Sequence, residues 1–318
     1  MVPPTALAHS SASALLPLAV GPAMTNRGGR DLLIATLIAA GRLDDRLLAE
    51  ALERVPGAAF HAWVDEGDSV DLAIPEIPAA RTALECWNGC DVVVQEADHR
   101  AKRLLVADMD STMIGQECID ELADYAGFKR EVAAITERAM RGELEFAPAL
   151  AERVALLAGL EVAVLGQCLA ERIRPSPGAA TLVRTMRTRG AHTMLVSGGF
   201  LDFVEPIAAA LGFHDFRANT LAREAGRLTG KTKGPIVGSD AKKTALVEEQ
   251  MRLGLSSDDV LAIGDGANDL PMIQAAGLGV AFRAKPLLAS FANARLDNHG
   301  LDALLWAQGI SRRDWVVG

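Results

Sequence analysis

Cysteine is scarce in this sequence: 318 residues carry four, Cys86, Cys90, Cys118 and Cys168, and no Cys-x-x-Cys pair. That excludes a disulfide framework. With the six histidines scattered, it also speaks against a structural zinc site. Aromatic residues make up only 4%, with a single Tyr, so the core must be built mainly from Ala, Leu, Val and Ile. An excess of positive charge is missing as well. Forty-one acidic against 32 basic residues give a net charge of −9, the wrong sign for a general nucleic-acid binder. Long hydrophobic runs are absent too. The stretches near Ala14–Met24 and Leu32–Gly41 run about ten residues, where a bilayer span needs roughly 20, so no membrane partner is expected. Residues 1–28 contain a faint apolar hump, Ala14–Val20, but no Lys or Arg precedes it and Pro17 interrupts it. They read as a loose leader rather than a secretory signal, with Met24 as an alternative start and a reducing cytoplasm as the expected compartment.

What remains is an ordinary globular composition, 50% apolar and 23% charged, with length for about two domains. Residues 29–100 read as a small α+β unit of ferredoxin-like or ACT-like kind. It has a strand over Asp31–Ala40, a helix over Asp44–Val55 with apolar residues at helical spacing, and short strands at Ala59–Val64 and Val70–Ile74. No chemistry is visible in this unit, which suits a regulatory or homodimerising module or a purely structural one. Because the pattern changes near residue 100, residues 1–98 are expected to be removable without loss of folding or activity.

From residue 101 to 318 strands and helices alternate. An apolar strand, Arg103–Ala107, runs into Asp108. Four helical patterns follow without a strand: Gln116–Ala126, Arg130–Met140, Phe146–Ala158 and Val162–Ile173. The alternation then resumes with a helix Ala179–Arg189, a strand Thr193–Val196 and a helix Leu201–Leu211. After these come a hairpin over Phe216–Thr229 turning at Ala225-Gly226, a helix Ala241–Leu253, a strand Val260–Ile263, a helix Asn268–Ala276 and a strand Leu278–Ala281. The expected fold class is α/β: a doubly wound parallel sheet covered on both faces, with the four helices (about 115–175) inserted as a cap. Ligands in such sheets bind beyond the carboxyl ends of the strands.

Three of those ends carry polar residues: Asp108-Met-Asp110-Ser-Thr, Ser197-Gly198-Gly199, and Gly264-Asp265-Gly-Ala-Asn268-Asp269. Asp108 and Asp110 are two apart, so an extended chain presents both on one side. An Asp-x-Asp alone is weak evidence, since acidic turns are common. A third carboxylate at Asp265 strengthens it, because such a group repels itself unless a cation joins it, and hard oxygen ligands suit Mg²⁺. Ser197 offers a hydroxyl, and Gly198 and Gly199 offer backbone N–H groups open to a phosphate. Lys242, near a helix start, becomes the natural counter-charge. Two decoys fail: Gly264-x-Gly266-x-x-Asp269 lacks the third glycine of a dinucleotide fingerprint, and Gly226–Thr232 is one residue short of a phosphate-binding P-loop.

These motifs, in this order, resemble the haloacid dehalogenase superfamily. Within it, Glu117-Cys-Ile-Asp-Glu121, Met140-Arg-Gly-Glu-Leu-Glu-Phe146 and Glu152-Arg-Val-Ala-Leu-Leu157 are similar to the phosphoserine phosphatases. The resemblance covers about residues 102–310. It implies a haloacid dehalogenase-like fold with Asp108 as nucleophile and Asp110 as general acid and base. Mg²⁺ would be held by Asp108, the Asp110 carbonyl and Asp265. Ser197, Gly198, Lys242 and Asn268 would hold the phosphate, supported by Gly199 and Asp269. Glu117 would pair with a substrate ammonium and Arg153 with a carboxylate, while Met140 and Phe146 line the pocket. The implied substrate is O-phosphoserine, in serine biosynthesis. Another phosphomonoesterase or phosphotransferase of the superfamily is the nearest alternative. A non-catalytic amino-acid sensor is the more distant one, against which the intact Asp108, Asp110, Lys242 and Asp265 argue.

Overall fold

The computed structural model describes residues 32–85, 87–141 and 143–317, so the leader expected over 1–28 lies outside the described residues. Its strands are β1 (Leu33–Ile38), β2 (Ala59–Asp65), β3 (Ser69–Ala73), β4 (Asp91–Glu96), β5 (Leu104–Ala107), β6 (His192–Phe200), β7 (Asp215–Glu224), β8 (Arg227–Lys233), β9 (Val260–Gly264), β10 (Leu278–Phe282) and β11 (Ala294–Leu296). They form one sheet in the order β2-β3-β1-β4-β11-β10-β9-β5-β6-β7-β8.

The first four strands, with α1 (Asp45–Arg54) after β1 and α2 (Ile77–Leu84) after β3, make a βαββαβ unit of ferredoxin-like topology. Helix α1 starts where it does because the Asp44 carboxylate accepts the Leu47 N–H at 2.8 Å. Helix α2 and β4 go beyond the elements expected from sequence. Through β4 the antiparallel unit meets the parallel strands, with Val92 opposite Arg295 of β11.

In the second half β5 lies at the centre, parallel to β6 on one side and β9 on the other. Every residue of β5 is fully buried, which is why its sequence, Leu-Leu-Val-Ala, shows no alternation. The chain leaves β5 toward β6 and later returns to β9 on the opposite side, so β5 marks the switch point at which ligands bind in such sheets. Between β5 and β6 come the cap helices α3 (Cys118–Ala126), α4 (Lys129–Met140), α5 (Phe146–Ala155) and α6 (Ala163–Arg172), then α7 (Ala179–Thr188). Helices α8 (Leu201–Leu211), α9 (Ser239–Leu253), α10 (Leu270–Ala275), α11 (Pro286–Phe291) and α12 (Ala303–Ala307) complete the layers. The β7–β8 hairpin turns at Ala225 (φ 48°) and Gly226 (φ 77°), the paired positive dihedrals of a type I′ turn.

Candidate active site

Register brings the polar strand ends together. Ala107 lies opposite Leu195 of β6 and Ile263 of β9, so Asp108, Ser197 and Asp265 follow at one edge. The Asp108 N–H donates to the Ile263 carbonyl at 3.0 Å, fixing the first against the third. Beyond Asp108 the chain makes a wide turn, closed by the Ile114 N–H on the Met109 carbonyl at 3.0 Å. Ser111 sits there at φ 55°, a left-handed conformation uncommon outside glycine and frequent at functional sites.

At the floor lies a group of buried charges. Lys242, fully buried, donates from Nζ to Asp108 Oδ1 and to Asp269 Oδ1, each at 2.6 Å. Burial alone would lower the lysine's proton affinity, but the two carboxylates outweigh it and raise it, so the ammonium stays charged. Burial, then the Asp269 charge, pushes the Asp108 carboxyl well above the usual range, with Lys242 opposing. The same two causes take Asp265 up to about 7, against the Thr112 hydroxyl that donates to its Oδ1 at 2.9 Å.

Oxygens of Asp108, Asp265 and Asp269 lie within 4.8 Å of one another. Both oxygens of Asp269 are committed, Oδ1 to Lys242 and Oδ2 to the N–H groups of Asp265 and Gly266 at 3.1 Å. Asp108 and Asp265 are left as hard donors, and three buried carboxylates face a single ammonium. That surplus of negative charge in a dry site fits a divalent cation with oxygen ligands.

Asp110 is held separately. Its Oδ1 accepts the Cys118 N–H at 2.7 Å and its Oδ2 accepts the Ser197 hydroxyl at 3.1 Å. Ser197 Oγ in turn accepts the Gly199 N–H at 2.8 Å, so of the two glycine N–H groups expected to face a phosphate, that of Gly199 is engaged. Both glycines also meet a steric demand. A Cβ at Gly199 would stand 2.8 Å from Asp110 Oδ2, and one at Gly198 would stand 2.6 Å from Phe146 Cζ.

Above the floor opens a cavity of about 230 Å³, lined among others by Asp108, Asp110, Glu117, Phe146, Arg153, Gly198, Gly199 and Asn268. Ser197, Lys242, Asp265 and Asp269 lie beneath it, fully or almost fully buried. Met140 closes α4, but its side chain lies outside the described residues. Glu117 precedes α3 and accepts the Ser111 hydroxyl at 2.6 Å. Burial, then Asp110 and Asp265, pushes its carboxyl well above the usual range. Arg153 is buried on α5 and donates from Nε to the Ala149 carbonyl at 3.2 Å and from Nη1 to the Thr136 hydroxyl at 2.9 Å. These are both uncharged partners, so the guanidinium faces the cavity with no carboxylate bonded to it among the described residues.

Several contributors were not singled out from sequence. Thr112 lies within the Asp-x-Asp-Ser-Thr stretch and was findable there. Thr136 shares the inward stripe of α4 with Val132, and a polar residue on such a stripe was the available signal. Asn219, fully buried on β7, donates to the Gly198 and Val237 carbonyls at 2.8 and 3.2 Å and accepts the Val237 N–H at 2.8 Å. It thereby ties the glycine loop to the segment leading into α9.

Residues 105–274 match the protein family described as haloacid dehalogenase-like hydrolase. The chain belongs to the haloacid dehalogenase-like hydrolases. The chain is 46% identical over 235 residues to a phosphoserine phosphatase of Mycobacterium tuberculosis, covering 73% of the chain and 57% of that protein. It therefore spans little more than half the length of that relative. It is also 46% identical over 208 residues to a phosphoserine phosphatase of Albidiferax ferrireducens, covering 64% of the chain and 88% of that protein. A solved structure of a phospho-aspartyl intermediate analogue of phosphoserine phosphatase is 37% identical, with a TM-score of 0.62 over 65% of this chain and 98% of that one.

Proposed function

We propose that this hydrolase is a Mg²⁺-dependent phosphoserine phosphatase that releases serine and phosphate through an aspartyl-phosphate. The observation that carries the substrate is Arg153: a buried guanidinium bonded only to neutral groups, facing the same small cavity as Glu117 and Asp108. Glu117, Asp120 and Asp110 act on this guanidinium only through their nearby charge, with no hydrogen bond to any of them, so its remaining N–H groups suit an anionic ligand group in the cavity. A carboxylate on Arg153, an ammonium beside Glu117 and a phosphate over Asp108 together describe O-phosphoserine. The cavity lies below the usual range of roughly 300–1,000 Å³ for drug-sized ligands, which favours a small metabolite.

Asp108 attacks phosphorus with Oδ2, since Oδ1 is held by Lys242. The bond from phosphorus to the serine oxygen breaks as the acyl-phosphate forms. Asp110, its carboxyl oriented by Cys118 and Ser197, enters this step protonated and gives that proton to the departing serine oxygen. It then takes one from the water that cleaves the acyl-phosphate. Lys242, the Gly198 N–H and Asn268 offset the charge of the phosphoryl oxygens. Asp108, Asp265 and the Asp110 carbonyl would hold Mg²⁺, which supplies further neutralisation of the phosphate when bound.

The test is a phosphate-release panel with phosphoserine, phosphoethanolamine and p-nitrophenyl phosphate, with EDTA and with Mg²⁺ restored. The expected result is Mg²⁺-dependent preference for phosphoserine. Glu117→Gln and Arg153→Ala should each lower kcat/KM for it by roughly 30-fold or more, and for p-nitrophenyl phosphate by less. Equal losses on both substrates in folded variants would remove the substrate assignment.

A further inference from the structure

The cap contains a relay that the catalytic scheme does not use. Asp120 on α3, Thr136 on α4 and Arg153 on α5 are linked in one chain of hydrogen bonds. The Thr136 hydroxyl donates to Asp120 Oδ1 at 2.8 Å and accepts from Arg153 Nη1 at 2.9 Å. Thr136 is 4% exposed and Arg153 6%, and Thr136 also lines the cavity. A hydroxyl has one proton to give. Because that proton goes to Asp120, the oxygen lone pairs are turned toward the guanidinium. The Ala149 carbonyl holds the other side of the group through Nε at 3.2 Å. The remaining N–H groups are thus left for the cavity in a fixed orientation. Had a carboxylate bonded Arg153 directly, its charge would already be answered and the cavity would lose its anion anchor. The threonine keeps Asp120 one hydrogen bond away, and its β-branched side chain has little rotamer freedom in a helix.

We infer that Thr136, oriented by Asp120, is a positioning residue that sets selectivity for a carboxylate-bearing phosphomonoester by holding Arg153 toward the cavity without neutralising it. The inference rests on the phosphoserine reading and deepens it. It applies to the part of the substrate that does not react, so its signature belongs in KM rather than kcat, and only with substrates that carry the carboxylate.

The experiment compares phosphoserine with phosphoethanolamine, which has the phosphate and the ammonium but no carboxylate. Wild type, Thr136→Val and Thr136→Ser are measured as full-length chains with Mg²⁺. In Thr136→Val, KM for phosphoserine should rise about tenfold with kcat within about twofold, since a hydrogen bond to a charged group is lost. Kinetics with phosphoethanolamine should stay near wild type, and Thr136→Ser should recover most of the phosphoserine loss. Should Thr136→Val fail to fold, Asp120→Ala, which frees the hydroxyl, is read by the same criterion. An equal loss on both substrates, or none on either, overturns the inference. A wild-type enzyme with no preference for phosphoserine over phosphoethanolamine overturns the underlying reading itself, which separates the two failures.

Discussion

The Lys242 ammonium stands 2.6 Å from Asp108 Oδ1, fully buried, joining residues 134 apart in sequence. It also stands 2.6 Å from Asp269, and no second ammonium or guanidinium is ion-paired to this group of carboxylates among the described residues. Lys242→Met should therefore leave Asp108, Asp265 and Asp269 facing one another without a protein counter-charge. Removing one partner from a buried pair costs about 3–5 kcal/mol, and losing a donor to the transition-state charge costs on the order of 10²-fold in kcat or more. Phosphate-release kinetics and chemical denaturation measure the two effects. A variant with normal kcat would show that the lysine serves folding only.

The two glycines after Ser197 should respond differently to the same substitution. In Gly199→Ala the added methyl meets Asp110 Oδ2, so the carboxyl proposed to transfer the proton is displaced. The expected loss falls in kcat, on the order of 10²-fold or more. In Gly198→Ala it meets the far end of the Phe146 ring, so KM should rise, and Phe146→Leu on that background should recover part of the loss. Rescue of Gly199→Ala by Phe146→Leu would show that the two contacts are not separable.

Much of this was legible in the sequence. The three polar strand ends and the helical run between Asp110 and Gly190 mark the candidate site, because a fully buried parallel strand followed at once by Asp or Ser leaves a local signature. Strand β4 was not read. Its Asp-Val-Val-Val-Gln-Glu is six residues long, and β11 is only three residues long, too short for periodicity to speak. The sequence pattern merges the 3₁₀ turn over Ala267–Asp269 with α10 into one helix, since Pro271 and a capping acid suit either. Relationships such as Thr136 to Arg153 stayed hidden because a hydrogen bond between helices has no sequence period.

The junction of the two sheet regions leads to a prediction about truncation. From sequence, residues 1–98 look removable. In the structure Asp65 accepts from Trp306 Nε1 and Ser311 Oγ, each at 2.6 Å, and Arg100 pairs with Asp71 at 2.6 Å. Ile38 and Val93 pack in the same core as Leu304 and Trp306. A chain beginning at Arg100 should lose these contacts and expose the edge of β11. We therefore expect a large drop in thermal stability or in soluble yield. A fragment melting at the temperature of the full chain would refute this.

Asp91 gives the junction a pH dependence. Burial alone would raise its proton affinity, but the hydrogen bonds from the His299 ring, the Asp297 N–H and the Asn298 amide outweigh it and lower it. A carboxyl with lowered affinity in the fold contributes stability above its unfolded value, near pH 4, and loses it as pH falls further, because the unfolded chain binds the proton first. Asp91→Asn should be less stable than wild type by about 2–3 kcal/mol at pH 7. The gap should narrow on acidification below pH 4, as read by urea denaturation at a series of pH values. A gap independent of pH would assign the effect to packing.

Phosphoserine is proposed to be hydrolysed by way of Asp108. The most direct test of that route is rapid acid quenching of the enzyme during turnover of phosphoserine labelled in the phosphoryl group, followed by peptide mapping. Label is expected on the peptide containing Asp108, discharged by hydroxylamine and absent from Asp108→Asn. Full turnover with the label on another residue, or with no protein-bound label in a quench shown to preserve acyl-phosphates, would contradict it.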